Sequence, residues 1–99
     1  MAITVTPVGT GPYTKTWDIT ADAATDTSAQ FAHGFKNHYT PVAPAVVLLT
    51  PLNVNFYTKE WTLGVVDATN INLNASSGGA LAGTPQLQVV AMLPQSIID

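Results

Sequence analysis

From Tyr13 to Thr20 the chain reads YTKTWDIT, with Tyr13, Lys15, Trp17 and Ile19 in one phase and Thr14, Thr16, Asp18 and Thr20 in the other. Only an extended chain puts alternate residues on opposite faces, so this stretch predicts a strand with one covered side. The period of two returns in TSAQFAHGF, with Ala29, Phe31 and His33 in phase. In EWTLGVVDA it sets Trp61, Leu63 and Val65 against Thr62, Gly64 and Val66. In TNINLNAS it sets Ile71 and Leu73 against Asn70, Asn72 and Asn74. QLQVVAMLP closes the series, with Leu87, Val89, Ala91 and Leu93 in register. No segment sustains a period of 3.6 residues behind a capping residue, so no helix is predicted.

Between these segments stand turn formers. AITVT opens the chain as a short strand, and Pro7, Gly9, Gly11 and Pro12 are expected to close it as a turn. Residues 21–26, ADAATD, form a polar connection, Gly34 should break the third strand, and SSGGALAGTP (76–85) reads as a long loop. AVVLLT (45–50) does not alternate and is bounded by Pro44 and Pro51. Such a run fits a strand buried on both faces, or one with a face in the core and a face in a subunit contact. The expectation is an all-β fold: one antiparallel β-sandwich or barrel-like domain of about six to seven strands. A chain of 99 residues holds one domain, with residues 1–8 and 94–99 as candidate N- and C-terminal arms.

Charge narrows the function. Charged residues make up 9 % of the chain, against about 25 % in ordinary domains. The net charge is −3 and the only basic side chains besides histidine are Lys15, Lys36 and Lys59, with no arginine. That argues against nucleic-acid binding, which needs several cations to engage phosphates. There are no cysteines, hence neither disulfides nor thiolate metal sites. The start shows no basic region followed by an apolar run, so no secretory signal is expected. The longest apolar stretch, VAPAVVLL, is too short to span a bilayer, so no membrane association is expected. A soluble monomer with so few charges is unusual. Since interfaces are depleted of charge at their centres, much of the surface is expected to meet other protein.

Candidate chemistry is sparse. His33 and His38 stand five residues apart in FAHGFKNHYTP, without a third ligand in the loop or a carboxylate to orient an imidazole. A zinc site needs three or four ligands and acid–base catalysis needs a positioned partner. His33 is therefore read as holding backbone at a strand end. Asp22 and Asp26 lack the glycine and closing glutamate of a calcium loop and are read as turn stabilisers. No nucleophile elbow or phosphate cradle is present. No catalytic residue, metal ligand or cofactor is assigned, and no enzymatic activity is expected. The residues expected at partner interfaces are Lys36, His38 and Tyr39, the aromatic pair Phe56 and Tyr57, and Ile97 and Ile98 in the tail. The two isoleucines either fold back on their own domain or dock on a neighbour. Trp61, with Tyr57, Phe56 and Tyr39, belongs either to an aromatic platform or, for Trp61, to the core.

An apolar residue followed by HG, a proline, the VVLLTP strand, then W-x-LGVVDATNINLNAS and a closing LQVVAM form a pattern that spans most of the chain. It resembles small β-sandwich proteins of tailed bacteriophages, which occur as capsid decoration (cement) proteins and as modules of tail spikes or fibres. The opening VTPVGTGPYTKTWDITADAATDT looks like virion proteins of this type. The latter half is more distantly similar to H-type lectin domains, six-stranded sandwiches that trimerise. The resemblance implies a virion protein made in the host cytoplasm, a homotrimer, that binds the major capsid protein and stabilises the capsid. It implies, as the alternative, a glycan-binding module of a tail spike or fibre. It carries over no catalytic residues.

Overall fold

The alternating segments are strands in the computed structural model of the protein, which describes residues 3–23, 25–37, 39–54, 59–79 and 83–94. The strands are β1 (Thr4–Thr10), β2 (Thr14–Thr20), β3 (Ser28–Ala32), β4 (Lys36–Asn37), β5 (Thr40–Pro41), β6 (Val46–Pro51), β7 (Thr62–Val66), β8 (Asn70–Asn74) and β9 (Leu87–Met92). Seven of them build two antiparallel sheets, ordered β1-β2-β9-β6 and β3-β8-β7, and the two-residue strands β4 and β5 pair as a small hairpin. The two larger sheets enclose one core, so the architecture is the expected small all-β sandwich.

The core draws alternate residues from both sheets. Trp17, Ile19, Leu87, Val89, Ala91 and Leu93 come from the four-stranded sheet and its continuation. Ile71, Leu73, Trp61 and Phe35 close on them from the other side. The rings of Trp17 and Phe31 meet between the sheets at 4.9 Å, tilted by 56°, an arrangement that aromatic quadrupoles favour over face-to-face stacking. β9 lies between β2 and β6, and its inward positions are sealed. The Trp61 ring is buried with its Nε1–H unpaired among the described residues, which costs about 1–3 kcal/mol.

Three local readings are decided by pairing. Pro7 and Gly9 do not end the first strand. They lie within β1, and the register with β2 shifts between them, leaving Val8 outside the ladder. β1 is an edge strand, where a proline sacrifices no ladder bond and a bulge discourages further pairing. The segment named as a candidate N-terminal arm thus contributes residues 4–8 to a sheet. Next, Val65 does not follow Trp61 inward, and Leu63 is itself 39 % exposed. The register of β7 against β8 shifts between Leu63 and Val66, so Val66 pairs with Ile71 and packs on the core while Val65 is 62 % exposed. An extra residue in a strand inverts every later position, which no strict alternation can anticipate. Finally, of the two alternatives for AVVLLT, burial on both faces is excluded and one core-facing side is found. β6 is the second edge of its sheet; Val47 and Leu49 face the core, and Val46 and Leu48 face out.

Candidate interaction surfaces

The corner around His33 is structural. Its Nδ1 accepts the Phe35 N–H at 3.0 Å, and its Nε2 lies 2.8 Å from the Asp67 carbonyl oxygen, so the proton belongs on Nε2. The imidazole is buried and ties the end of β3 to the β7–β8 turn. Gly34 follows with φ +72°, and a Cβ there would lie 2.9 Å from Lys15 Nζ. Glycine is required by the left-handed backbone, whereas the lysine ammonium sits at the end of a flexible side chain that can give way. Lys15 lies over an aromatic ring, 5.0 Å from the Phe35 centroid. Its ammonium also donates to the His33 carbonyl at 2.9 Å.

The turn after β7 is held by Asp67. One carboxylate oxygen, Oδ1, accepts the N–H of Asn70 at 2.7 Å, the N–H of Thr69 at 2.9 Å and the Thr69 hydroxyl at 3.2 Å. The Asn70 bond foremost, then that of Thr69, holds the carboxyl below its ordinary value of 3.8. A depressed carboxyl stabilises the fold above its unfolded value, and that contribution fades as pH falls through the folded value. Asp67→Asn is therefore expected to lose less stability than the parent between about pH 5 and pH 2.5. Urea unfolding at the two pH values checks this; identical losses would contradict it.

Asp22 and Asp26 form the expected turn. Asp26 Oδ2 accepts the N–H groups of Asp22 and Ala23 at 3.2 and 3.1 Å. Behind this turn lies Lys59, whose burial sequence reasoning missed. It is solvent-inaccessible and donates to the Gly78 carbonyl at 3.0 Å and, more loosely, to that of Ala23 at 3.5 Å. Burial pushes its ammonium below the usual lysine value, with Asp26 opposing the shift. Alternation carries no signal for it, because Lys59 stands ahead of β7, outside any strand, and is followed by Glu60 at φ 52°. Gln86 was missed likewise, because it precedes β9 out of phase with Leu87, yet is buried with its side-chain amide bonded to the Ala21 N–H and the Thr84 carbonyl. Among the described residues no three His, Cys, Asp or Glu side chains gather as metal ligands.

With Lys59 sealed and Lys15 engaged, Lys36 is the exposed lysine among the described residues. It stands in the β4–β5 hairpin, whose turn presents Tyr39 at 95 % exposure. His38, Phe56, Tyr57, Ile97 and Ile98 lie outside the described residues. A second surface was only half anticipated. On the outer face of the four-stranded sheet, Val46 is opposite Met92 and Leu48 opposite Val90. The neighbouring positions on β2 are Thr14 and Thr16. This quarter of the sheet carries no charge, and Leu48 is 51 % exposed. The total accessible surface, 5306 Å², matches the roughly 5,400 Å² of a compact monomer of this mass. The outer face of the three-stranded sheet differs again: Ser28, Gln30, Asn70, Asn72 and Asn74 make it an uncharged amide and hydroxyl surface.

No protein-family model matches the chain, and neither the curated proteins nor the solved structures contain a match.

Proposed function

We propose that this protein is a bacteriophage virion structural protein of the capsid-decoration type, acting by assembly and not by catalysis. The observation that carries this reading is the uncharged apolar quarter of the outer sheet face, Val46, Leu48, Val90 and Met92, next to the open edge of β6. Its occupant is a second copy of the chain. In a homotrimer each protomer offers this face to its neighbour, a head-to-tail contact that closes after three copies. In this reading the major capsid protein is met by the hairpin, where Lys36 and Tyr39 are exposed. Three linked contacts then act as one clamp, because each engagement after the first is intramolecular. The resemblance of VVLLTP and LGVVDATNINLNAS to virion sandwiches supports the same assignment.

Leu48→Glu tests it. In the free monomer the change is at an exposed site and costs within about 0.5 kcal/mol. In the assembled state it buries an unpaired charge, which costs about 3–5 kcal/mol, more than 100-fold in association. The variant is expected to run as a folded monomer by light scattering and to leave capsids unprotected against heat, while the parent is trimeric and protects them. A monomeric parent that leaves capsids unbound sinks the proposal.

A further inference from the structure

The outer face of the four-stranded sheet changes character along its length. Away from the apolar quarter, Thr4, Thr6, Asp18, Thr20 and Asp22 line a cleft of about 450 Å³, walled by Gly83 and Pro85. Small-molecule sites commonly enclose about 300–1,000 Å³. The strand register orders the lining: Thr6 is opposite Asp18, and Thr4 is opposite Thr20. These two pairs stand two residues apart along β1 and β2, roughly 7 Å. Asp22 follows beyond the end of β2, where its Oδ1 accepts the Gly83 N–H at 3.3 Å. At the other end Gln88 Nε2 donates to Asp18 Oδ1 at 3.2 Å. Each carboxylate is thus oriented by a neutral donor, and neither has an ion-pair partner among the described residues. Thr20 is only 8 % exposed, and no hydrogen bond among the described residues engages its hydroxyl. The sealed unpartnered side-chain atom among those residues is Trp61 Nε1, so the Thr20 hydroxyl opens into the cleft that it lines.

We propose that this cleft binds a linear aliphatic diamine or polyamine, a function separate from assembly. A carboxylate at each end and hydroxyls between them match a ligand with a cation at each end and further N–H donors between. One ammonium donates to the open oxygen of Asp18 and another to that of Asp22, and charge-assisted bonds of this kind are the stronger ones. The Thr20 hydroxyl accepts from an internal secondary ammonium, or from a remaining proton of an end group. Pro85 offers an apolar wall to the methylenes between the cations. The net charge of −3 draws cations to the chain as a whole. A single metal ion does not fit. Calcium takes six to eight oxygens at about 2.3–2.6 Å, whereas each carboxylate has one oxygen already bonded and the lining is spread along the strands in steps of roughly 7 Å. Anions are repelled by both ends. A monoamine neutralises one carboxylate and leaves the other unpaired.

The test is an amide NMR titration of the intact protein with putrescine, cadaverine and spermidine to about 50 mM, since a few charge-assisted bonds in an open cleft give millimolar binding. Low ionic strength keeps the charges unscreened. Butylamine, calcium chloride and magnesium chloride are the comparison ligands. Saturable shifts confined to Thr4, Thr6, residues 18–22 and Gly83 are expected with at least one of the three amines. Butylamine, with one cation, should bind at least about 10-fold more weakly. Asp18→Asn and Asp22→Asn keep the side-chain size and should each weaken binding about 10-fold, equivalent to about 1.4 kcal/mol. Thr20→Val keeps shape and charge and should weaken it about 3-fold, a loss that attraction to the net charge alone does not produce. Leu48→Glu should bind the amine as the parent does, so failure of assembly and failure of amine binding are read separately. Absence of saturable shifts with all three amines overturns the proposal. So does equal binding of butylamine, or tighter saturation of the same amides by calcium or magnesium.

Discussion

Trp17→Ala is expected to lower the unfolding free energy by about 3–5 kcal/mol. That is a large share of the roughly 5–15 kcal/mol that holds a domain of this kind together. Trp17 is an inward residue of β2, 5 % exposed, opposite Val89 on β9 and Pro7 on β1. It is also the residue whose ring reaches across to Phe31 of the other sheet. Truncation removes its burial and leaves a cavity between two sheets that are hydrogen-bonded within themselves and cannot close on it. Chemical unfolding in urea measures the loss. The Phe31→Ala variant and the double variant separate the ring contact from the burial. A coupling of about 0.5–1.5 kcal/mol is expected for such a pair. A Trp17→Ala protein within about 1 kcal/mol of the parent would show that this ring does not clamp the sheets.

Gln86→Ala should cost about 2–4 kcal/mol although the residue precedes a strand and is polar. Gln86 is fully buried. Its Oε1 accepts the Ala21 N–H at 2.6 Å, and its Nε2 donates to the Thr84 carbonyl at 2.6 Å. Its backbone N–H bonds the Ile19 carbonyl at 2.9 Å and its carbonyl accepts the Leu52 N–H at 2.9 Å. One residue thus joins the ends of β2 and β6 to the start of β9. Ala21 is itself fully buried, so removing the amide strands a backbone donor that water cannot reach. A fall of about 10 °C or more in thermal midpoint is the expected reading for a domain this small. A midpoint unchanged within error would show that another group takes over the Ala21 donor.

Much of the fold was legible because period-two alternation and glycine–proline punctuation are local. β2, β3, β8 and β9 follow their apolar phases: Ile71 and Leu73, and Leu87, Val89, Ala91 and Leu93, are all buried. His33 was legible as a backbone tie because nothing near it offers a third ligand. The errors share a cause. Pro7 was read as a stop, and Val65 as inward, because edge position and bulges belong to the partner strand and not to the segment itself. Lys59 and Gln86 were missed because a buried polar side chain is only tolerable once distant carbonyls and N–H groups are brought to it.

The interaction surfaces divide in the same way. Lys36 and Tyr39 were legible as exposed, since FAHGFKNHYTP is polar and turn-rich, and both are exposed in the hairpin. The cleft was not, because Thr4, Asp18, Asp22 and Pro85 come from segments up to 81 residues apart in the sequence. By itself the sequence determined the all-β class, the alternating core and the scarcity of charge, all of which depend on side-chain type and spacing alone. Only the tertiary structure decided that AVVLLT lies at a sheet edge with Val46 and Leu48 facing out. It alone decided that two of three lysines are taken up by the fold and that threonines and aspartates share one cleft. Strand order, register and bulges are settled by pairing between distant segments, and that pairing places each outward side chain among its neighbours.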